Sequence, residues 1–279
     1  MNMTWTHHPM PGDVTIEAAW SPCSTPQPKG CVVLWPCMGG DCRMYAMPVE
    51  TFTSAGWHVL FYNPRGHGGS TGYLSVETAG EDLKRLLDRF DLSGLPLTAI
   101  GHSGACAAWL KASAAGLSVT DFFFIAPVLN SRRSLFYMYE TGTIGEFVFV
   151  TSRLAADPAH FKRTLADTAW LDPAYWHAHN LEHVLNGGNG SFPMGSFLRE
   201  LFIPGVDAMP ELGFREADVT IFFPTRDNWY PHSETLGECS EKLTTLEVPD
   251  AGDHYFSGAW PAVWSQTAHR MAIAASGCR

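Results

Sequence analysis

Six short apolar runs constrain this chain more than any other feature, because each has the length of a strand and none alternates polar with apolar residues. They are CVVLWP (31–36), WHVLFYN (57–63), LTAIGH (97–102), DFFFIAP (121–127), DVTIFFP (218–224) and KLTTLEVP (242–249). A strand that is apolar on every residue is one buried on both faces. Helix-length stretches separate the runs. In VETAGEDLKRLLDRF (76–90), Leu83, Leu86, Leu87 and Phe90 fall at i, i+3, i+4 and i+7 and make one apolar stripe. Strand and helix in alternation imply crossover connections, so the expected fold is α/β, with a mostly parallel central sheet and helices on both faces. VTIEAAW (14–20) alternates better and predicts an antiparallel edge strand.

The rhythm breaks between Pro127 and Ala217, where a long, mainly helical stretch replaces a short connection. Asp157-Pro158 and Asp172-Pro173 each set a capping carboxylate before a proline suited to the first helical position. The second of these helices is expected to stop near Gly187, with GGNG (187–190) as a joint. The domain reading is a core of residues 1–127 and 217–279 with a cap, or lid, inserted at 128–216.

Composition narrows the partners. With 18 Lys+Arg against 28 Asp+Glu the net charge is −10, which disfavours a nucleic-acid partner. Charged residues are 16% and hydrophobic ones 46%, so a large core can be buried with apolar surface to spare for a ligand. No stretch reaches the roughly 20 apolar residues of a membrane span, and MNMTWTHHPMPGD lacks the basic-then-apolar pattern of an export leader. The expectation is a cytoplasmic protein; self-association into a homo-oligomer is left open. Seven cysteines with no CxxC pair fit reduced thiols.

The segment that carries chemistry is LTAIGHSGACAAWLKAS (97–113), where a buried-strand run ends in Gly101-His102-Ser103-Gly104-Ala105 and passes directly into a helix former. Small residues two before and two after a serine suit a sharp strand-to-helix turn, a nucleophile elbow, with Ala105 where glycine is usual. Such a turn sets the Ser103 hydroxyl at a helix N-terminus, with the Gly104 N–H facing a developing oxyanion. Serine is a weak nucleophile and needs a base that a third group orients. Asp227, just past the run 218–224, and His254, just past 242–249, supply them in the order Ser, Asp, His. PVLNSRRS (127–134) holds no carboxylate, which favours Asp227; Asp250 and Asp253 share the loop of His254 and are the weaker choices. WPCMGGD (35–41) follows the first run, and the Met38 N–H is the second expected oxyanion donor; NPRGHGGSTG (63–72) is expected to wall the pocket.

On these segments the chain resembles the α/β-hydrolase superfamily, and is similar to its capped serine hydrolases, the monoacylglycerol-lipase-like and serine-aminopeptidase-like groups. The resemblance covers residues 31–127 and 218–272. It implies a serine hydrolase acting on an ester, with Ser103, Asp227 and His254 catalytic and Gly104 and Met38 in the oxyanion hole. Where those families show His-Gly before the oxyanion residue, this chain has Pro36-Cys37, so a side chain at Cys37 is expected to narrow the hole or alter the loop.

Cys37 and Gly39, and His102 beside the serine, are taken as substrate-facing, with packing as the plainer reading of His102. Cys106 reads as a small core residue. His177, His179 and His183 lack a third ligand at metal spacing, so no metal is expected, and the mechanism requires no cofactor. The aromatic stretches 134–150 and 167–179 suit either a lid over an apolar substrate or ordinary packing. The function expected is hydrolysis of a small or medium, mainly apolar carboxylic ester, thioester or acylglycerol. An acyltransferase, an aminopeptidase-type amidase and a ligand-binding receptor or pseudo-enzyme are the alternatives.

Overall fold

The computed structural model describes residues 3–72, 74–143, 206–214, 218–232 and 243–275. The six apolar runs form β3 (Gly30–Trp35), β4 (Trp57–Asn63), β5 (Leu97–His102), β6 (Asp121–Ile125), β7 (Asp218–Pro224) and β8 (Leu243–Val248). With β1 (Trp5–Met10) and β2 (Val14–Ser21) they make an eight-stranded sheet in the order β1-β2-β4-β3-β5-β6-β7-β8. All pairings from β4 to β8 are parallel, whereas β2 runs antiparallel to both β1 and β4. Every residue of β3 and β5 is buried, as unalternating runs at the centre of a covered sheet must be.

Two expectations are corrected. The segment 14–20 is antiparallel but not an edge, because WTHHPM pairs outside it as β1. Conversely, β8 is not buried on both faces: its residues are mostly half-buried or exposed, since among the described residues it pairs with β7 alone. Its threonines and Glu247 are the signature of that half-solvated position.

Helices α1 (Val49–Ser54), α2 (Val76–Arg89), α3 (Gly104–Ala114), α4 (Ser131–Glu140), α5 (Met209–Phe214) and α6 (Trp260–Ala275) complete the described elements. Ser75 caps α2 by accepting from the Thr78 N–H, and Leu83, Leu86 and Leu87 are buried as their spacing requires. The fourth residue of that stripe, Phe90, lies just past the helix, stacked on Trp20 at 5.5 Å. Helix α3 is apolar on nearly all sides because it lies between the sheet and α2. A Cβ on Gly80 of α2 would come within 2.9 Å of Ala112, so small residues set this close approach. The core divides into two clusters, one per sheet face. Residues of α2 and α3 pack in one cluster, and α1 and α6 in the other.

Most of the expected cap, with its Asp-Pro caps, aromatic stretches and three histidines, lies outside the described residues. What is described of it is α4, α5 and the adjoining turns. Cys23, Cys31, Cys37, Cys42 and Cys106 are free thiols. Among the described residues no helix is long and apolar enough to cross a membrane.

Candidate active site

The loops that follow the carboxyl ends of β3, β5, β7 and β8 meet above the sheet, where open parallel sheets form their sites. After β5, Ser103 takes φ 60° and ψ −128°, a strained conformation for a residue with a side chain. The strain is held from both sides, by the Ser103 N–H donating to Ile125 O at 2.9 Å and the Val128 N–H to Ser103 O at 3.1 Å. Gly101 is needed for the same turn: a Cβ there would lie 2.8 Å from the Trp109 ring and 3.2 Å from the Cys106 nitrogen. Ala105 is fully buried, so a methyl group is accommodated where the pattern usually has glycine.

The three expected polar residues are brought together in one row. His254 Nε2 is 2.9 Å from Ser103 Oγ, and His254 Nδ1 is 2.9 Å from Asp227 Oδ2. All three are buried, and Trp229 stacks on the His254 ring at 5.1 Å with planes 11° apart. Asp227 Oδ1 accepts from the Trp229 and Tyr230 N–H groups at 2.7 and 3.1 Å. Burial opposes ionisation of Asp227, but His254 and His232 outweigh it and hold the carboxyl far below the usual carboxylate range. Asp253, the rival in sequence, instead accepts from the Tyr255 and Ser257 N–H groups of its own loop.

In the loop after β3, the Cys37 N–H donates to Tyr45 Oη at 2.6 Å and the Gly39 N–H to His67 Nε2 at 3.0 Å. Between them, the Met38 N–H has no acceptor among the described residues, and neither has that of Gly104, the first residue of α3. The two residues are adjacent, since a Cβ on Gly104 would come within 2.8 Å of the Met38 side chain. The Cys37 thiol turns toward Gly40, and burial pushes it up to about 11, which leaves it a packing group. Cys106 is likewise buried, its thiol donating to Gly101 O at 3.2 Å.

His102, taken as substrate-facing with packing as the plainer reading, is buried and packed against protein. Its Nε2 donates to His254 O at 2.9 Å and its Nδ1 accepts from Tyr45 Oη at 3.0 Å, so both nitrogens are spent on protein. Burial, reinforced by His254, lowers it to about 3 and keeps it neutral. His67 is neutral for the same reason, lowered by burial to about 4. Its Nδ1–H donates to Arg65 O, leaving Nε2 to accept from Gly39.

Glu17 anchors these loops to the sheet. Its carboxylate accepts from Arg43 at 2.5 and 2.9 Å, from Asn63 Nδ2 at 2.9 Å and from the Gly69 N–H at 2.8 Å. Sequence reasoning missed Tyr45, Glu17 and, most notably, His232, whose Nε2 lies 2.6 Å from Asp227 Oδ2. The only sequence signal for His232 was a histidine five residues past the acid, in DNWYPH. Among the described residues no group of His, Cys, Asp and Glu is arranged to hold a metal ion.

Solved structures of α/β-hydrolases share this architecture at low identity. A carboxylesterase of the ammonia-oxidizing thaumarchaeon Nitrososphaera gargenis aligns at 16% identity over 98% of this chain and 99% of its own, with a TM-score of 0.68. The proline iminopeptidase-related protein of Thermus thermophilus aligns at 18% over 99% and 98%, with a TM-score of 0.66. A haloalkane dehalogenase loop variant from Bradyrhizobium elkanii aligns at 13% over 99% and 99%, with a TM-score of 0.72. At such identities the likeness is one of fold. No curated protein matches the sequence. The family model described as serine aminopeptidase, S33, matches residues 26–170, just over half of the chain and including the elbow. The chain therefore belongs to the serine aminopeptidase S33 family of α/β-hydrolases.

Proposed function

We propose that the chain is a serine hydrolase that cleaves a small or medium, mainly apolar carboxylic ester, with thioesters and acylglycerols as variants of the same chemistry. What carries the reading is the buried row Ser103–His254–Asp227, joined by two 2.9 Å hydrogen bonds on a strained elbow. In this reading Ser103 Oγ attacks the acyl carbon as its proton passes to His254 Nε2. Asp227 holds the imidazole in the Nδ1–H tautomer and stabilises the imidazolium that forms. The uncommitted N–H groups of Gly104 and Met38 suit the oxyanion, at about 3 kcal/mol per donor. His254 then returns the proton to the leaving alcohol, and water repeats the cycle on the acyl-enzyme. The Trp229 ring over His254 restricts water beside the base and favours an apolar acyl group.

The test is labelling with a fluorophosphonate, followed by turnover of p-nitrophenyl esters of increasing acyl length. Wild type is expected to label and turn over, and Ser103→Ala to do neither. Labelling that survives in Ser103→Ala, or a folded wild type that never labels, overturns the assignment.

A further inference from the structure

Asp227 lies between two imidazoles. Its Oδ2 faces His254 Nδ1 at 2.9 Å and His232 Nε2 at 2.6 Å, so one carboxylate oxygen serves both rings. The His232 side chain is nine-tenths buried, with its ring 4.5 Å from Phe223 and 6.1 Å from Tyr230. Its Nδ1 is buried without a hydrogen-bond partner among the described residues. That atom bears on which ring nitrogen carries the proton. A cationic His232 would bury an N–H with no acceptor, whereas the neutral form leaves only a lone pair there and carries its proton on Nε2, toward Asp227.

A base in a Ser–His–Asp row needs one imidazole on the acid, so the second calls for a role. We propose that His232 is a positioning residue that tempers Asp227. Its N–H draws negative charge from the oxygen shared with His254 and weakens the stabilisation of the His254 imidazolium. Activity thereby extends to lower pH than the three-residue row alone would allow. The proposal rests on the serine-hydrolase reading.

Other groups face the pair from neighbouring elements. His102, at the end of β5, has its ring 5.3 Å from that of His254 and is held neutral by burial. The Ser103 hydroxyl meets His254 Nε2, and the Tyr137 phenol on α4 donates to the Asp227 carbonyl at 3.1 Å. Tyr255 packs edge-on to His254, and Tyr230 to His232. Asp253 is turned to its own loop. Of the described titratable side chains, only His254 and His232 are hydrogen-bonded to the Asp227 carboxylate.

The experiment compares kcat/KM for a p-nitrophenyl ester between about pH 4.5 and 9 in wild type, His232→Phe and His232→Gln. Phenylalanine keeps the ring contacts and loses the donor, while glutamine offers an amide N–H in place of Nε2. The acid limb of His232→Phe is expected about 0.5 to 1 pH unit above that of wild type, and that of His232→Gln near wild type. Coincident Phe and wild-type limbs, or a Gln limb displaced as far as Phe, overturn the proposal.

Imidazole ¹⁵N spectra of the wild type give a check that needs no variant. The Nε2–H tautomer of His232 is expected at neutral pH; an Nδ1–H tautomer or a cation there overturns the idea. The two readings also fail separately. If the wild type does not label on Ser103, the hydrolase reading falls. The His254 titration midpoint in His232→Phe, read by NMR without substrate, then still decides the coupling, an unmoved midpoint refuting it.

Discussion

The Tyr45 phenol donates to Nδ1 of His102 across 3.0 Å, and this one bond sets the direction of a buried chain linking two loops. His102 Nε2 faces the His254 carbonyl, which can only accept, so the ring proton sits there and Nδ1 must accept. The phenol oxygen is then free to receive the Cys37 N–H at 2.6 Å. The loop beside the expected oxyanion position and the loop bearing the base are thus held by the same two side chains.

Tyr45→Phe leaves the Cys37 N–H and His102 Nδ1 without their partner in a closed core. A loss of about 1–3 kcal/mol of stability is expected, with a fall in kcat of about tenfold or more and little change in KM. Denaturant unfolding and steady-state kinetics on one ester check both. An unchanged kcat would show that the chain of bonds is structural alone.

Asp227→Asn keeps the volume but removes the charge and places an amide beside His254 Nδ1. By comparison with other rows of this kind, kcat should fall by about 10⁴-fold while the protein stays folded. Activity within tenfold of wild type would assign the orienting role elsewhere, with Asp253 the residue to test next.

Buried neutral histidines make a prediction about stability and pH. His102 is lowered to about 3 and His67 to about 4 in the folded chain, whereas in the unfolded chain both take up protons below about 6.5. The unfolded state therefore binds more protons across that interval. Stability is complete above about pH 6.5 and declines toward pH 4, by up to about 1.4 kcal/mol per unit for each ring. Asp227, also lowered, adds to the loss only below the ordinary carboxylate range. Urea midpoints at pH 7 and pH 5 test this, and equal midpoints would contradict the burial argument.

At Gly101 the constraint is steric. A Cβ would stand 2.8 Å from Trp109 Cδ1 and 3.2 Å from the Cys106 nitrogen, the second being backbone that cannot turn aside. Gly101→Val should cost at least about 1–3 kcal/mol and displace the elbow, lowering activity together with stability. A variant with wild-type melting temperature and turnover would show that the turn relaxes freely.

Much of the site was legible because it depends on local signals. The strand-to-helix transition at 97–113 marks Ser103, and the ends of two other strands mark Asp227 and His254. Other contacts were not legible, since they join single polar residues far apart in the chain. Tyr45 and His102 are separated by 57 positions, and His102 and the His254 carbonyl by 152. Neither carries a period or a spacing. His102 in particular reads as a residue next to a nucleophile, yet the turn that aims Ser103 at His254 sends its neighbour beneath the base.

The amino-acid sequence by itself marked seven of the eight strands, the mainly parallel sheet, and where the chain turns to present a serine. Those properties follow from apolar periodicity and from the steric demands of small residues, both written within a few neighbours. Tertiary structure alone decided which strands lie at the edges, that His102 turns beneath the base, and that a second histidine shares the Asp227 oxygen. These outcomes depend on burial and on satisfying every buried donor and acceptor, conditions that exist only once distant segments have closed around one another.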